Sequence, residues 1–206
     1  MTFSLKNDHW IANACSDLCH PKDRLITPFT AGKIRELSYG DSSTFKCVSF
    51  GLSSFGYDLS LSGADFKIFQ RVPGLIMDPH TDNGEHLVPA ASRVTLMGEL
   101  YFILPAHSYA LGVVKEQLNM PEDVLGICIG KSTYARLGII CNMTPVEPGW
   151  RGHLTIELSN SSDSDCKIYA NEGICQIIFF QGEQCAAPYG EGKYQDQKQE
   201  VTNARV

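Results

Sequence analysis

The stretch Leu154-Thr155-Ile156-Glu157-Leu158 alternates apolar and polar side chains, residue by residue. Successive side chains of a β-strand point to opposite faces of its sheet, so the pattern predicts a strand. Leu154, Ile156 and Leu158 would share the buried face, with Thr155 and Glu157 on the other. A polar strand face is usually solvated, so the pattern leaves Glu157 as either a surface residue or a carboxylate placed for chemistry.

Similar short runs follow one another from Cys47 onward. Gly, Pro, Asn or Asp separates them roughly every 8–12 residues, which is typical of an all-β domain. The predicted strands cover residues 57–61, 65–69, 94–103, 109–114, 124–129, 154–158, 167–169 and 176–180. We therefore predict a mainly β fold, either a distorted β-barrel or a jelly roll.

The two ends of the chain differ from this β-rich middle. Apolar residues at helical spacing predict one helix within residues 4–19, and turn formers such as Gly40 dominate residues 20–45. The polar, glycine-containing tail is typical of a mobile arm. We expect a single domain over residues 1–206, with a helical N-terminal extension (1–45), a barrel core (46–187) and a C-terminal arm (188–206).

Composition narrows the classes of function. A net charge of −6 disfavours general binding to nucleic acid or to an anionic membrane. The apolar runs are far shorter than a bilayer span and the N-terminus lacks an apolar signal core, so we expect a soluble cytoplasmic protein. The eight cysteines are scattered, and Cys15, Cys19 and His20 have no second pair at ligand spacing. Reduced, mostly buried thiols are therefore favoured over disulfides or a zinc site.

A candidate phosphate site follows one of the apolar strands. Gly130 permits the close approach of a ligand, and Ser132 and Thr133 are good N-cap residues for a short helical turn. Free backbone N–H groups at a helix start bind anions, and Lys131 and Arg136 add two positive charges. A plain strand–turn–strand with exposed charges fits the same residues, so both interpretations stay open.

Several stretches together carry a resemblance to a known family. They are SFGLSSFGYDLSL (49–61), GKSTYARLG (130–138), TPVEPGWRGHLTIELSN (144–160), IYANEGICQIIFF (168–180) and GKYQDQ (192–197). In this order and register they resemble the dCTP deaminase family, within the dUTPase-like superfamily, over residues 45–197. The resemblance implies a dUTPase-like barrel with a C-terminal arm over the active site.

The resemblance also implies a role for individual residues. Glu157 matches the family's catalytic Glu. The implied substrate-binding residues are Lys131, Ser132, Thr133 and Arg136 at the triphosphate, Thr144 and Pro145 at the cytosine, Glu147 near the deoxyribose, and Tyr189, Lys193 and Gln197 in the arm. The chain departs from the family pattern in having Lys at 131 in place of Arg, Glu at 147 in place of Asp, a shorter base-side turn and a QDQKQ tail without the common QQG ending.

The activity implied is the deamination of dCTP to dUTP and ammonia, which supplies dUMP for dTTP synthesis. The family is a homotrimer with sites between subunits, Mg²⁺ accompanies the triphosphate, and dTTP is a candidate inhibitor. The zinc deaminase signature H-x-E…P-C-x-x-C is missing, so we expect Glu157 to act as general acid and base without zinc. The alternatives are a bifunctional deaminase and dUTPase that also uses Glu147, releasing dUMP and pyrophosphate, a simple dUTPase, and a non-catalytic nucleotide-binding regulator.

Overall fold

The fold comes from a computed structural model, which describes residues 4–39, 43–81 and 84–205. The helices are α1 (Asp8–Ala14) and α2 (Ser132–Ala135), and 3-10 turns occur at Pro21–Asp23 and Gly84–His86. The strands are β1 (Ser4–Leu5), β2 (Ile26–Thr27), β3 (Ile34–Tyr39), β4 (Ser43–Ser53), β5 (Gly56–Phe69), β6 (Leu87–Pro89), β7 (Arg93–Val94), β8 (Leu100–Leu104), β9 (Tyr109–Asn119), β10 (Val124–Gly130), β11 (Ile139–Cys141), β12 (Thr144–Val146), β13 (Arg151–Asn160), β14 (Cys166–Tyr169) and β15 (Gly173–Gln181).

Most of the strands belong to one large antiparallel sheet that curls into part of a barrel. Its central path runs β11-β13-β9-β5-β15-β10-β12, and β1, β2, β3, β4 and β6 pair with members of this sheet off that path. A second sheet has the order β14-β8-β7. The prediction of a mainly β, distorted-barrel fold is confirmed.

Strand β13 shows the side-chain alternation that its sequence predicts. Leu154, Ile156 and Leu158 are 7%, 2% and 0% exposed, whereas Thr155 and Glu157 are only half-buried on the opposite face. Each buried Leu or Ile contributes about 1.5–3 kcal/mol to folding, so three of them anchor the strand that carries Glu157.

Near the N-terminus the structure confirms one sequence prediction and differs from another. Helix α1 lies within the residues predicted to form a helix, and it begins after Asn7 because the Asn7 side chain accepts a hydrogen bond from the backbone N–H of Trp10. Strand β3 lies in a segment predicted to form turns and pairs with β4. The turn predicted at Gly40 lies outside the described residues.

The short helix after β10 forms where a helical turn was predicted, but its N-cap is a different residue. Lys131 occupies the N-cap position with extended backbone and without a side-chain capping bond. Capping by Ser132 would require extended backbone at Ser132 itself. The extended backbone ends at Lys131, so Ser132 and Thr133 lie inside α2.

All eight cysteines are free thiols, four of them buried and four half-buried. Across the described ranges, no helix is both long enough and apolar enough to span a membrane.

Candidate functional site

A cavity of about 420 Å³ opens beside β13. This volume lies within the range of pockets that enclose small molecules. One wall consists of β13 and the turn before it, a second carries Phe69, His86 and Tyr109, and the third is formed by the C-terminal residues 189–204. The site is therefore assembled from segments far apart in the chain.

Glu157 lies in the wall formed by β13, opposite Leu111 of β9. Burial raises the pKa of Glu157 because the charged carboxylate loses solvation there. The side chain of Thr144 hydrogen-bonds the carboxylate, which limits the rise in the Glu157 pKa. A carboxyl group with a raised pKa holds a proton more readily than an ordinary Glu and can still release it, which suits general acid–base chemistry.

The residues expected to face a pyrimidine base lie in the same cavity. Strand β12 pairs with β10, with Thr144 opposite Cys128, and this pairing places Thr144 and Pro145 in the cavity wall. Glu147 also lines the cavity but is exposed at its edge. Trp150, only 5% exposed, completes this side of the wall.

The C-terminal arm is ordered, although its composition is typical of a mobile segment. Trp150 Nε1 donates to the carbonyl of Tyr194 at 2.8 Å, and the N–H of His153 donates to the carbonyl of Gln197 at 2.9 Å. Gln197 also forms a bridge with Gly152. The N–H of Tyr189 donates to the carbonyl of Pro148 at 2.8 Å, and together these contacts hold Tyr189 and Gln197 against the cavity.

Lys193 is the predicted arm residue that the structure leaves outside the cavity lining. It is exposed, and its ammonium group donates to the carbonyl of Arg205 at 2.6 Å. Its ammonium group is therefore bound within the arm and does not line the cavity in this chain.

The residues predicted to bind the triphosphate also lie outside the cavity lining. Lys131 is 9% exposed, and its ammonium group donates to Asp58 Oδ2 at 2.7 Å, an oxygen that Lys33 also approaches at 3.1 Å. Ser132, Thr133 and Arg136 are exposed. Among the described residues that line the cavity there is no Lys or Arg. A single chain thus brings Glu157, Thr144 and Pro145 together, but it leaves residues 131–136, which carry the positive charges, outside the cavity.

Sequence reasoning missed the second wall of the cavity. His86 is 1% exposed, and its ring is tilted by 45° against Phe69 with a centroid distance of 4.1 Å. It belongs to the 3-10 turn Gly84–His86, which no motif covered. Phe69 also meets the edge of Tyr109 at 5.9 Å. His86 Nδ1 and Asn203 Oδ1 are buried atoms without a hydrogen-bond partner among the described residues.

Tyr109 was also missed as a residue of the site, whereas Tyr194 belongs to the stretch of the tail that the sequence suggests could close over a ligand. It lies within the quoted GKYQDQ stretch and lines the cavity. Tyr109 begins a predicted strand, but its proximity to Glu157 follows from the pairing of β9 with β13, which the sequence does not reveal. Burial, and then the charge of Glu157, raises the pKa of Tyr109 to about 12, so its phenol stays protonated.

The donor set available for a protein-bound metal is poor. Within residues 4–39, 43–81 and 84–205, no three His, Cys, Asp or Glu side chains are arranged to hold a metal ion. His153, four residues before Glu157, directs Nδ1 toward the carbonyl of Val114 at 3.3 Å. Burial lowers the pKa of His153.

Comparison with known proteins agrees with this architecture. Proteins named dCTP deaminase from Campylobacter fetus and Erythrobacter litoralis are 43% and 42% identical to the chain, over 94–95% of it and 94–96% of their own lengths. The crystal structure of 2′-deoxycytidine 5′-triphosphate deaminase from Agrobacterium tumefaciens matches with a TM-score of 0.51 at 17% identity, covering 88% of this chain and 49% of that one, which supports the fold alone. A family model described as dCTP deaminase-like matches residues 12–182, and the chain belongs to that family.

Proposed function

We propose that this chain is a dCTP deaminase, a hydrolase that converts dCTP and water to dUTP and ammonia. The observation that carries the proposal is Glu157, a half-buried carboxyl group with a raised pKa in a cavity of nucleotide-binding size. The names of relatives that are 42–44% identical over nearly the whole chain support the choice of dCTP as substrate.

In the proposed mechanism Glu157 moves every proton. It takes one from the attacking water as the oxygen adds to C4 of cytosine, and N3 becomes protonated. Glu157 then takes the proton of the new C4 hydroxyl and delivers it to the exocyclic amine. The C4–N bond breaks as the C4 carbonyl forms, and the amine leaves as ammonia. Such general acid–base catalysis is worth roughly 10²–10⁴ in rate. We propose that no protein-bound zinc takes part, in keeping with the donor set around the cavity.

The triphosphate needs positive charge that the cavity of one chain lacks. A net charge of −6 would also repel the substrate at long range. We infer that the chain forms a homotrimer in which the exposed segment with Ser132, Thr133 and Arg136 reaches the cavity of a neighbouring subunit. Leu137, 56% exposed beside this segment, supports a contact there. Lys131 stays paired with Asp58 and holds the segment in place, and Mg²⁺ enters bound to the triphosphate.

The remaining binding roles follow from the cavity walls. Thr144 and Pro145 face the base, Glu147 lies toward the sugar, and the arm closes with Tyr189, Lys193 and Gln197 toward the phosphates. We place the enzyme in the cytoplasm, in the supply of dUMP for dTTP synthesis, and dTTP is a candidate inhibitor of the same site.

The test is to incubate the purified protein with dCTP and Mg²⁺ and to assay ammonia and pyrophosphate separately. We expect ammonia and dUTP in equal amounts without pyrophosphate. Release of both ammonia and pyrophosphate would identify the bifunctional enzyme that also uses Glu147. Binding of dCTP without either product would identify a nucleotide-binding regulator and would reject the proposal.

A further inference from the structure

Three cysteines meet on the sheet next to Glu157, outside the cavity lining. Cys128 of β10 lies opposite Ile177 of β15, and Gly130 lies opposite Cys175, so Cys128 and Cys175 are diagonal neighbours on one face. A Cβ atom at Gly130 would lie 3.5 Å from the Cβ atom of Cys141. Cys141 of β11 therefore packs over the same face as the other two thiols.

The three thiols contact one another. The neighbouring thiols of Cys128 and Cys175 lower the pKa of the Cys141 thiol, whose sulfur also lies 3.8 Å from the carbonyl oxygen of Asn142. Cys128 and Cys175 are fully buried, whereas Cys141 is half-buried and is the most exposed of the three. The thiolate is the reactive form of cysteine, so the most exposed thiol is also the activated one.

Both Cys141 and Cys128 are coupled to the position of Glu157. The residue after Cys141 is Asn142, whose N–H donates to the backbone carbonyl of Glu157 at 3.1 Å. Cys128 lies directly opposite Thr144, whose side chain hydrogen-bonds the Glu157 carboxylate. A change in the distance between Cys141 and Cys128 would therefore move groups that hold Glu157.

We propose that Cys141 and Cys128 are a site of reversible oxidation that forms a disulfide on exposure to a hydroperoxide and thereby slows the enzyme. The Cys141 thiolate attacks a peroxide oxygen, which gives a sulfenic acid and hydroxide. The Cys128 thiol then attacks the sulfenic sulfur, which forms the S–S bond and releases the oxygen as water. The two thiols lose two electrons in total, and one H₂O₂ is reduced to two waters.

The effect on turnover rests on the proposed function and follows from geometry. An S–S bond of about 2.05 Å is much shorter than the van der Waals contact between two thiol sulfurs, so its formation draws β11 toward β10. A displacement of about 1 Å at a catalytic group can cost roughly 10²-fold in rate. We expect oxidation to slow deamination at least about tenfold.

The experiment treats the full-length protein with H₂O₂ and follows three readouts: free thiols, crosslinked peptides by mass spectrometry, and ammonia release from dCTP. We expect the loss of two thiols, a Cys128–Cys141 crosslink, and a slower reaction that dithiothreitol restores. Cys141→Ser should form no crosslink and keep its own starting rate after peroxide. Cys47→Ser, which removes another half-buried thiol, should respond as the wild type does.

Three results would overturn the proposal. They are a treated protein without a Cys128–Cys141 crosslink, a crosslinked protein with an unchanged rate, and a Cys141→Ser variant that is as sensitive as the wild type. The crosslink is measured without substrate, so a failure of the proposed function is recognised separately, by a reduced protein that releases no ammonia from dCTP.

Discussion

The proposed reaction requires Glu157 to accept and return protons while its carboxyl group stays in one place. In Glu157→Gln the side chain keeps its shape and can still bond Thr144, but it no longer exchanges a proton. We expect kcat to fall about 10²–10⁴-fold while the Kd for dCTP changes little. Ammonia release and calorimetric titration measure the two quantities. A near-normal rate in this variant would refute the mechanism.

Thr144 is one of the groups that set the pKa of Glu157, and therefore the pH above which Glu157 can act as a base. Its hydrogen bond lowers the Glu157 pKa against the larger, opposite effect of burial. The base form is lost as pH falls through that pKa, so the acid limb of kcat/KM should lie above the ordinary Glu value of 4.5. Thr144→Val should move the limb to higher pH, and Thr144→Ser should leave it near the wild-type position. Identical profiles for all three proteins would contradict this role.

The sequence was most informative where a residue lies in a recognisable stretch. Glu157, Thr144 and Gln197 come from quoted motifs, and the structure brings them to one cavity. His86 and Asn203 come from a loop and from the end of the tail, where neither periodicity nor a motif indicates a neighbour. Their place in the site depends on long-range packing, which local sequence patterns do not encode.

At the level of elements, strands with clear alternation were predicted well, and their boundaries less well. Residues 57–61 and 65–69 form the single strand β5, whereas residues 94–103 are divided between β7 and β8 around Gly98, which has a φ of 86°. Strand β3 was missed because it lies among turn-forming residues. The order of strands in the sheet joins distant segments, such as β5 with β15, so local patterns could not supply it.

The arm depends on the absence of a side chain at Gly152. Its φ is 143°, and a Cβ atom there would lie 2.6 Å from the backbone nitrogen of Gln197. Gly152→Ala should therefore displace the arm, at a cost of about 1–3 kcal/mol, and raise the KM for dCTP about tenfold. The increase would be accompanied by faster proteolysis after Pro188.

A matched control for this substitution is Gly182→Ala, because a Cβ atom at Gly182 meets nothing within 4 Å. This variant should keep the wild-type KM and the wild-type rate of proteolysis. If Gly152→Ala also behaves like the wild type in both assays, the arm does not contribute to substrate binding in the way proposed.

At the level of the whole molecule, the proposed sharing of sites between subunits predicts complementation between inactive variants. Arg136→Ala removes the cation expected from one subunit, and Glu157→Gln removes the carboxylate of the next. In hybrids formed from equal amounts of the two, about a quarter of the sites would combine both intact residues, if assembly is random. Ammonia release should rise to about that fraction of the wild-type rate after denaturation and joint refolding. Hybrids as inactive as either parent would place both residues in one chain's site.

Three partly or fully buried carboxyl groups make the stability of the molecule depend on pH. Burial raises the pKa of Glu116, Glu157 and Glu172 above the ordinary value of 4.5. Between 4.5 and each raised value the folded chain binds more protons than the unfolded chain. The stabilisation by protonated carboxyls is therefore fully present below pH 4.5 and is lost as pH rises through the folded values, by at most about 1.4 kcal/mol per pH unit for each group.

Glu116 allows this expectation to be tested away from the cavity. Its carboxylate accepts hydrogen bonds from Ser60 Oγ at 2.7 Å and from the Ser60 N–H at 2.9 Å, and it is 3% exposed. Glu116→Gln cannot ionise, so its Tm relative to the wild type should rise between pH 5 and pH 8. Glu191 is exposed, so the Tm of Glu191→Gln should change with pH in the same way as the Tm of the wild type over this range. If the Tm of Glu116→Gln also follows the Tm of the wild type at every pH, Glu116 ionises as readily in the folded protein as in the unfolded chain. Burial would then not raise the pKa of Glu116, and the prediction would be wrong.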